Sequence, residues 1–170
     1  MVALLTALLI LAPAADVIDR IMAVVGAQPI TLSEVSAAAQ LELVPLPEGA
    51  ADRTGAALER LIDRTLMLVE VERFQPPEPD EGEITKRIDL VQARFGSEAA
   101  FDRALAATGT TREQLRRFFR NDLRMQIYVN QRFGPILDPV EREESIGAWV
   151  RELRRRAQIT VLYRPGRPKI

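Results

Sequence analysis

The stretch "IMAVVGAQPITLSEV", Ile21 to Val35, sets an apolar run, a turn and a helix start side by side near the front of the chain. Val17 to Val25 is rich in β-branched and apolar residues and predicts a strand. Gly26, Ala27 and Gln28 make a tight connection. Pro29 cannot donate to a ladder, so Pro29 and Ile30 belong at an edge or in a turn. "TLSE", Thr31 to Glu34, has the form of a capping box, in which the Thr31 hydroxyl accepts from the Glu34 amide while the Glu34 carboxylate accepts from the Thr31 amide. The helix it opens is expected to begin at Leu32 and to run to about Val44.

At the far end "QITVLY", Gln158 to Tyr163, predicts a second strand. The simplest arrangement pairs the two strands, with Ile21, Ala23 and Val25 facing the core beside Ile159 and Val161. Helical patterns fill the chain between them. After the loop Pro45 to Gly55, a helix from Thr54 or Ala56 to Phe74 carries Leu58, Leu61, Ile62, Leu66 and Val69 at helical spacing, and its run "LMLV", Leu66 to Val69, is apolar on all sides. That pattern predicts a central, buried helix. Asp80 caps a third helix carrying Ile84, Ile88, Val91 and Phe95; Ser97 opens a short one that Gly109 closes; and "TREQ", Thr111 to Gln114, launches a long one ending near Phe133. Asp138 and Pro139 start the last helix, with Ile146, Trp149, Val150 and Leu153 on its apolar face. The expected fold class is mainly α, with about six helices and a small antiparallel sheet pairing the N-terminal and C-terminal strands.

The chain has 170 residues, 23 Lys plus Arg against 24 Asp plus Glu, and neither Cys nor His. Near-neutrality lacks the basic excess that a phosphate backbone demands, so no nucleic-acid partner is expected. Without Cys and His there are no disulfides, no thiolate or imidazole metal ligands and no imidazole base. No catalytic residues, no metal site and no cofactor are assigned, and no glycine spacing matches a P-loop. The acidic pairs Glu81 with Glu83 and Glu143 with Glu144 read as helix starts and exposed faces, and "RELRRR", Arg151 to Arg156, as a solvated helix C-terminus. Val2 to Ala15, "VALLTALLILAPAA", is uncharged, too short to span a bilayer and ends in small residues. It reads as a secretory signal, residues 1–15, cleaved near Ala14 or Ala15 and leaving no integral membrane span in the mature form. The mature domain is then 16–163, with 164–170 a flexible tail.

Segment by segment, "VIDRIMAVVGAQPITLSEV", "ALERLIDRTLMLVEVERF" and "ITKRIDLVQARFGSEAAFDRALAATGTTREQLRRFFRNDLRMQIYVNQRF" resemble the N-terminal domain of SurA-type periplasmic chaperones. The matching positions are Asp19, Ala23 to Val25, Ile30 with Thr31, Leu61 to Asp63, and Phe95 to Leu115. "WVRELRRRAQITVLY", Trp149 to Tyr163, looks like the helix and strand that complete that domain after the family's parvulin prolyl isomerase insert. Only the fifteen residues from Gly134 to Ala148 stand in that place here, too few for a domain with its own core. The resemblance implies a periplasmic chaperone module without the isomerase, binding unfolded or partly folded envelope proteins, outer-membrane proteins among them. An envelope adaptor with one fixed partner is the alternative reading, and a residual prolyl isomerase is a third. Exchange of the last helix and strand through the "GPILDP" hinge, Gly134 to Pro139, would give a swapped homodimer.

A chaperone of this kind needs adaptable apolar surface. Along the long helix, with about 100° per residue, the apolar arc running from Met125 and Phe118 through Leu115 and Phe119 to Ile127 is about 200° wide. Such an arc packs against neighbours on two sides, or else leaves Phe118, Met125 and Tyr128 lining a client-binding groove. Arg116, Arg117, Arg120 and Arg124 occupy its polar side, where they keep the helix soluble.

Overall fold

The computed structural model describes residues 19–163. The signal segment 1–15, the tail 164–170, and Val17 with Ile18 of the predicted strand lie outside the described residues. The elements in order are strands β1 (Ile21–Val25) and β2 (Gln28–Thr31), helices α1 (Leu32–Gln40), α2 (Arg53–Phe74), α3 (Glu81–Ala93), α4 (Glu98–Thr108), α5 (Arg112–Phe133) and α6 (Pro139–Arg156), and strand β3 (Ile159–Val161). The fold is mainly α, and its three strands form one antiparallel sheet in the order β2-β1-β3.

The opening stretch folds as a hairpin. Gly26, at φ 60°, takes the left-handed conformation that the turn requires and that glycine accepts without strain. Pro29 and Ile30 extend into an edge strand, and β3 closes on the other side of β1, pairing Ala23 with Val161 and Val25 with Ile159. The expected inward row needs one correction. Ala23 and Val25 are buried, but Ile21 is 44% exposed and Met22 only 1%. A bulge between Ile21 and Ala23 breaks the alternation, so Met22 turns inward in place of Ile21. Val161, at the outer edge of the sheet, is also largely exposed.

Two apolar cores meet within the domain. One gathers Met22, Val25 and Ile30 from the sheet with Leu58, Ile62, Leu66 and Val71 of α2, Tyr128 and Phe133 of α5, and Trp149 and Leu153 of α6. The other joins Leu41 to Ile84, Ile88 and Val91 of α3, Phe101 and Leu105 of α4, and Leu115 and Phe119 of α5. Helix α1 serves both, sending Val35 and Ala38 into the first and Ala37 into the second.

Helix α1 stops at Gln40 rather than Val44. Glu42 takes a left-handed conformation at φ 51°, and the Leu43 amide bonds back to the Ala38 carbonyl. This is a Schellman closure, built here without glycine. It lets Leu41 enter the second core and Val44 the first, which a continuing helix would not. Arg94 Nη1 donates to the carbonyls of Leu41 and Glu42, and Arg53 Nη2 to that of Ala39.

The front of α1 is satisfied as fully. The capping box is formed, with the Glu34 amide on Thr31 Oγ1 and the Thr31 amide on Glu34 Oε2 at 2.8 Å. The Leu32 amide donates to the Arg20 carbonyl, and Asp19 accepts from both the amide and the hydroxyl of Ser33. Partial burial works against the Asp19 charge, but the hydroxyls of Ser33 and Thr31 and the amides of Ser33 and Arg20 outweigh it and hold the carboxyl below the usual aspartate range. A carboxyl depressed in this way contributes stability that is complete above its unfolded pKa of about 3.9. The contribution fades as pH falls through the lower folded value. Screened by solvent at this exposed position, Asp19→Ala should cost about 0.5 kcal/mol at neutral pH, measured by urea unfolding on Trp149 emission, with the gap from the parent closing in acid.

Candidate functional site

An open cleft of about 610 Å³ lies between β2 with α1 on one side, the N-terminal half of α5 on the other, and α2 along its floor. Its apolar lining includes Pro29, Ile30, Leu43, Leu61, Leu68, Val69 and Phe118. The short side chains of Ser33 and Ala37 on α1 leave this space unfilled. Of the run read as wholly buried, Leu66 is in the core and Met67 packs on it, but Leu68 lines the cleft and Val69 is 40% exposed there. Helix α2 is central as expected. Val69 at the cleft and Phe74 at the helix end, 61% exposed, correct the reading of full burial.

Phe118 is held in the cleft wall from behind. The Arg64 guanidinium carbon sits 4.0 Å from the centre of its ring, and Arg64 Nη2 donates to the Phe118 carbonyl at 2.8 Å. Phe119 meets the same ring edge-on at 5.6 Å between centroids and turns into the second core. Arg64 Nε stands 3.8 Å from Asp122 Oδ1, an ionic contact too long for a hydrogen bond, and has no acceptor among the described residues. Burial pushes the Asp122 carboxyl up, against the pull of Arg64 and Arg87. Nothing in the sequence singled out Arg64, because a lone arginine inside a helix reads as a solvated charge; only its placement under Phe118 shows its role.

The three residues expected to form one client-binding surface are not brought together. Phe118 lines the cleft, whereas Met125 is half-buried against the first core. Tyr128 is only 4% exposed, and its ring lies between Phe74 at 5.0 Å and Trp149 at 5.7 Å. Its hydroxyl accepts from Arg132 at the surface. The groove reading is corrected for Tyr128, which the C-terminal half of α5 spends on packing against α2 and α6.

The arginines on the polar side of α5 do more than face solvent. Arg116 and Arg120 both bond Glu81 at the start of α3, at 2.9 and 2.7 Å, and Arg120 foremost holds that carboxyl below the usual glutamate range. Arg124 bonds Glu72 at 2.8 Å. In "RELRRR", Arg154 ties α6 to Asp63 and Glu59 of α2, while Arg155 and Arg156 pair with Glu152 on their own helix.

The carboxylates around the cleft are therefore committed, Glu34 to the capping box and Glu72 to Arg124. Arg117 alone of the cleft's charged side chains has no hydrogen-bonding or ionic partner among the described residues. Among those residues no group of three or more His, Cys, Asp or Glu is placed to hold a metal ion, and no helix is long and apolar enough to cross a membrane. The cleft is an open surface with an apolar wall and polar groups at its rim. Arg64→Met should cost about 2 kcal/mol by leaving the largely buried Asp122 with Arg87 alone to offset its charge. Adding Asp122→Asn should restore roughly half of that loss, a coupling that a double-mutant cycle in urea reads directly. No family model matches this chain, and no curated protein sequence matches it.

Proposed function

We propose that this chain is an exported chaperone without enzymatic activity that holds unfolded or partly folded envelope polypeptides, outer-membrane proteins among them, by masking their apolar side chains. The carrying observation is the cleft along α2, where partly buried Leu68 and Phe118 and exposed Val69 form an apolar wall open to solvent. Its size suits a few side chains of an extended client, within the range of about 300–1,000 Å³ typical of binding clefts. The edge of β2 that borders it bears on how clients are read. Ala23 and Val25 turn their backbone groups toward β2, which leaves Pro29 and Thr31 facing outward. Proline has no amide hydrogen, and the Thr31 amide is taken by Glu34. With no donor on that edge, the cleft takes client side chains rather than pairing a client backbone. Burial worth about 25 cal/mol per Å² of apolar area supplies the affinity, with neither nucleotide nor metal.

The sequence resemblance to SurA-type N-terminal domains supports the periplasmic setting and the client class. Val69→Asp puts a charge into the wall at an exposed position, so it should change stability by no more than about 0.5 kcal/mol while sharply reducing protection of several unrelated unfolded proteins from aggregation, followed by light scattering. Protection that is unchanged by Val69→Asp would remove the cleft from the mechanism. Capture of a single envelope protein without general protection would identify an adaptor instead.

A further inference from the structure

The two edges of the small sheet are finished differently. The Gly26 amide donates to the Gln158 carbonyl and the Leu162 amide to the Met22 carbonyl, which sets the phase of the β1–β3 ladder. In that phase Met22, Val24 and Gly26 face β3, and Gln158, Thr160 and Leu162 face β1. Ile159 and Val161 therefore direct their amides and carbonyls away from the sheet. No described residue hydrogen-bonds to them. On the opposite edge the outward positions are Pro29, with no donor, and Thr31, with its donor capped.

We propose that the outer edge of β3 is a second binding surface of this chaperone, taking an extended client segment by strand addition. The inference rests on the client-binding reading of the cleft and adds a backbone-recognising site two strands away from it. Two outward N–H and two outward C=O groups on one short strand specify an extended backbone as the partner, since that is the group which satisfies all four at strand spacing. Side chains follow from the face. Ile159 and Val161 lie opposite Val25 and Ala23 on the core side of the sheet, and Val161 is 48% exposed where the sheet ends. An added strand sets alternate residues beside Val161, so the client is apolar at every second position, the pattern of a strand with one buried face.

The test uses the full chain and a fluorescein-labelled peptide of roughly ten residues, valine alternating with threonine. Anisotropy measures binding, and amide hydrogen exchange by NMR follows Ile159 and Val161 with and without peptide. Binding that slows exchange at both amides supports the proposal. The same peptide N-methylated at alternate residues should then bind about tenfold more weakly, and Val161→Pro, which removes an outward donor, should lose about tenfold more than Val161→Ala, which shortens the side chain and keeps the donor. Binding that leaves both amides unprotected overturns strand addition and leaves the cleft reading standing. Failure of the chain to bind this peptide or any unfolded protein overturns both. Protection of the two amides without peptide, together with a dimer in sedimentation, would give the edge to a second copy of the chain and overturn the client proposal.

Discussion

Helix α1 is the constraint on which the domain depends. A nine-residue helix is too short to hold itself in water, since nucleation costs more than so few backbone bonds return. It persists because both apolar cores claim it at once and because distant groups satisfy its ends. Asp19 and the Arg20 carbonyl complete the front, while Arg53 and Arg94 complete the back. These partners come from the segment leading into β1, from α2 and from the residue that caps α3. Forming α1 thus requires the sheet, the central helix and the second core to be assembled around it.

The cleft follows from the same arrangement. Helix α1 carries small residues, Ser33 and Ala37, toward the space above α2, and the N-terminal half of α5 stands on the far side with Phe118 braced by Arg64. Larger residues at these two positions of α1 would fill the space. The bracing matters because it fixes a partly buried phenylalanine that packs against both cores. The buried guanidinium beneath it is weak evidence for stability, given what desolvation costs, and better evidence for a fixed ring position.

Much of this was legible from local patterns. The capping boxes at Thr31 and Thr111, the caps at Ser97, Asp80 and Asp138, and the end of α4 at Gly109 stand where the sequence places them, because each depends on residues within a single turn. What failed depended on neighbours far along the chain. The early end of α1 needs Glu42 in a left-handed conformation, which no local rule demands of a glutamate and which Arg94 supports from more than fifty residues away. The bulge that turns Met22 inward, and the burial of Tyr128 between Phe74 and Trp149, are likewise products of packing. In the cleft wall, Phe118 stands on the edge of the broad arc that its helical phase predicts. Leu68 and Val69 left a trace in "LMLV", a run more apolar than its neighbours cover, and Arg64 left none.

By itself the sequence determined the number and order of the helices, the strand at each end and their pairing, since periodicity, capping residues and turn residues act over a few positions. The tertiary structure alone decided which apolar residues are core and which form a surface. A broad apolar arc has the same pattern whether another helix covers it or not. On α5 the C-terminal half is covered by α2 and α6, and the N-terminal half is left beside a cleft. The difference lies in the lengths and placements of those neighbours, which no single segment encodes.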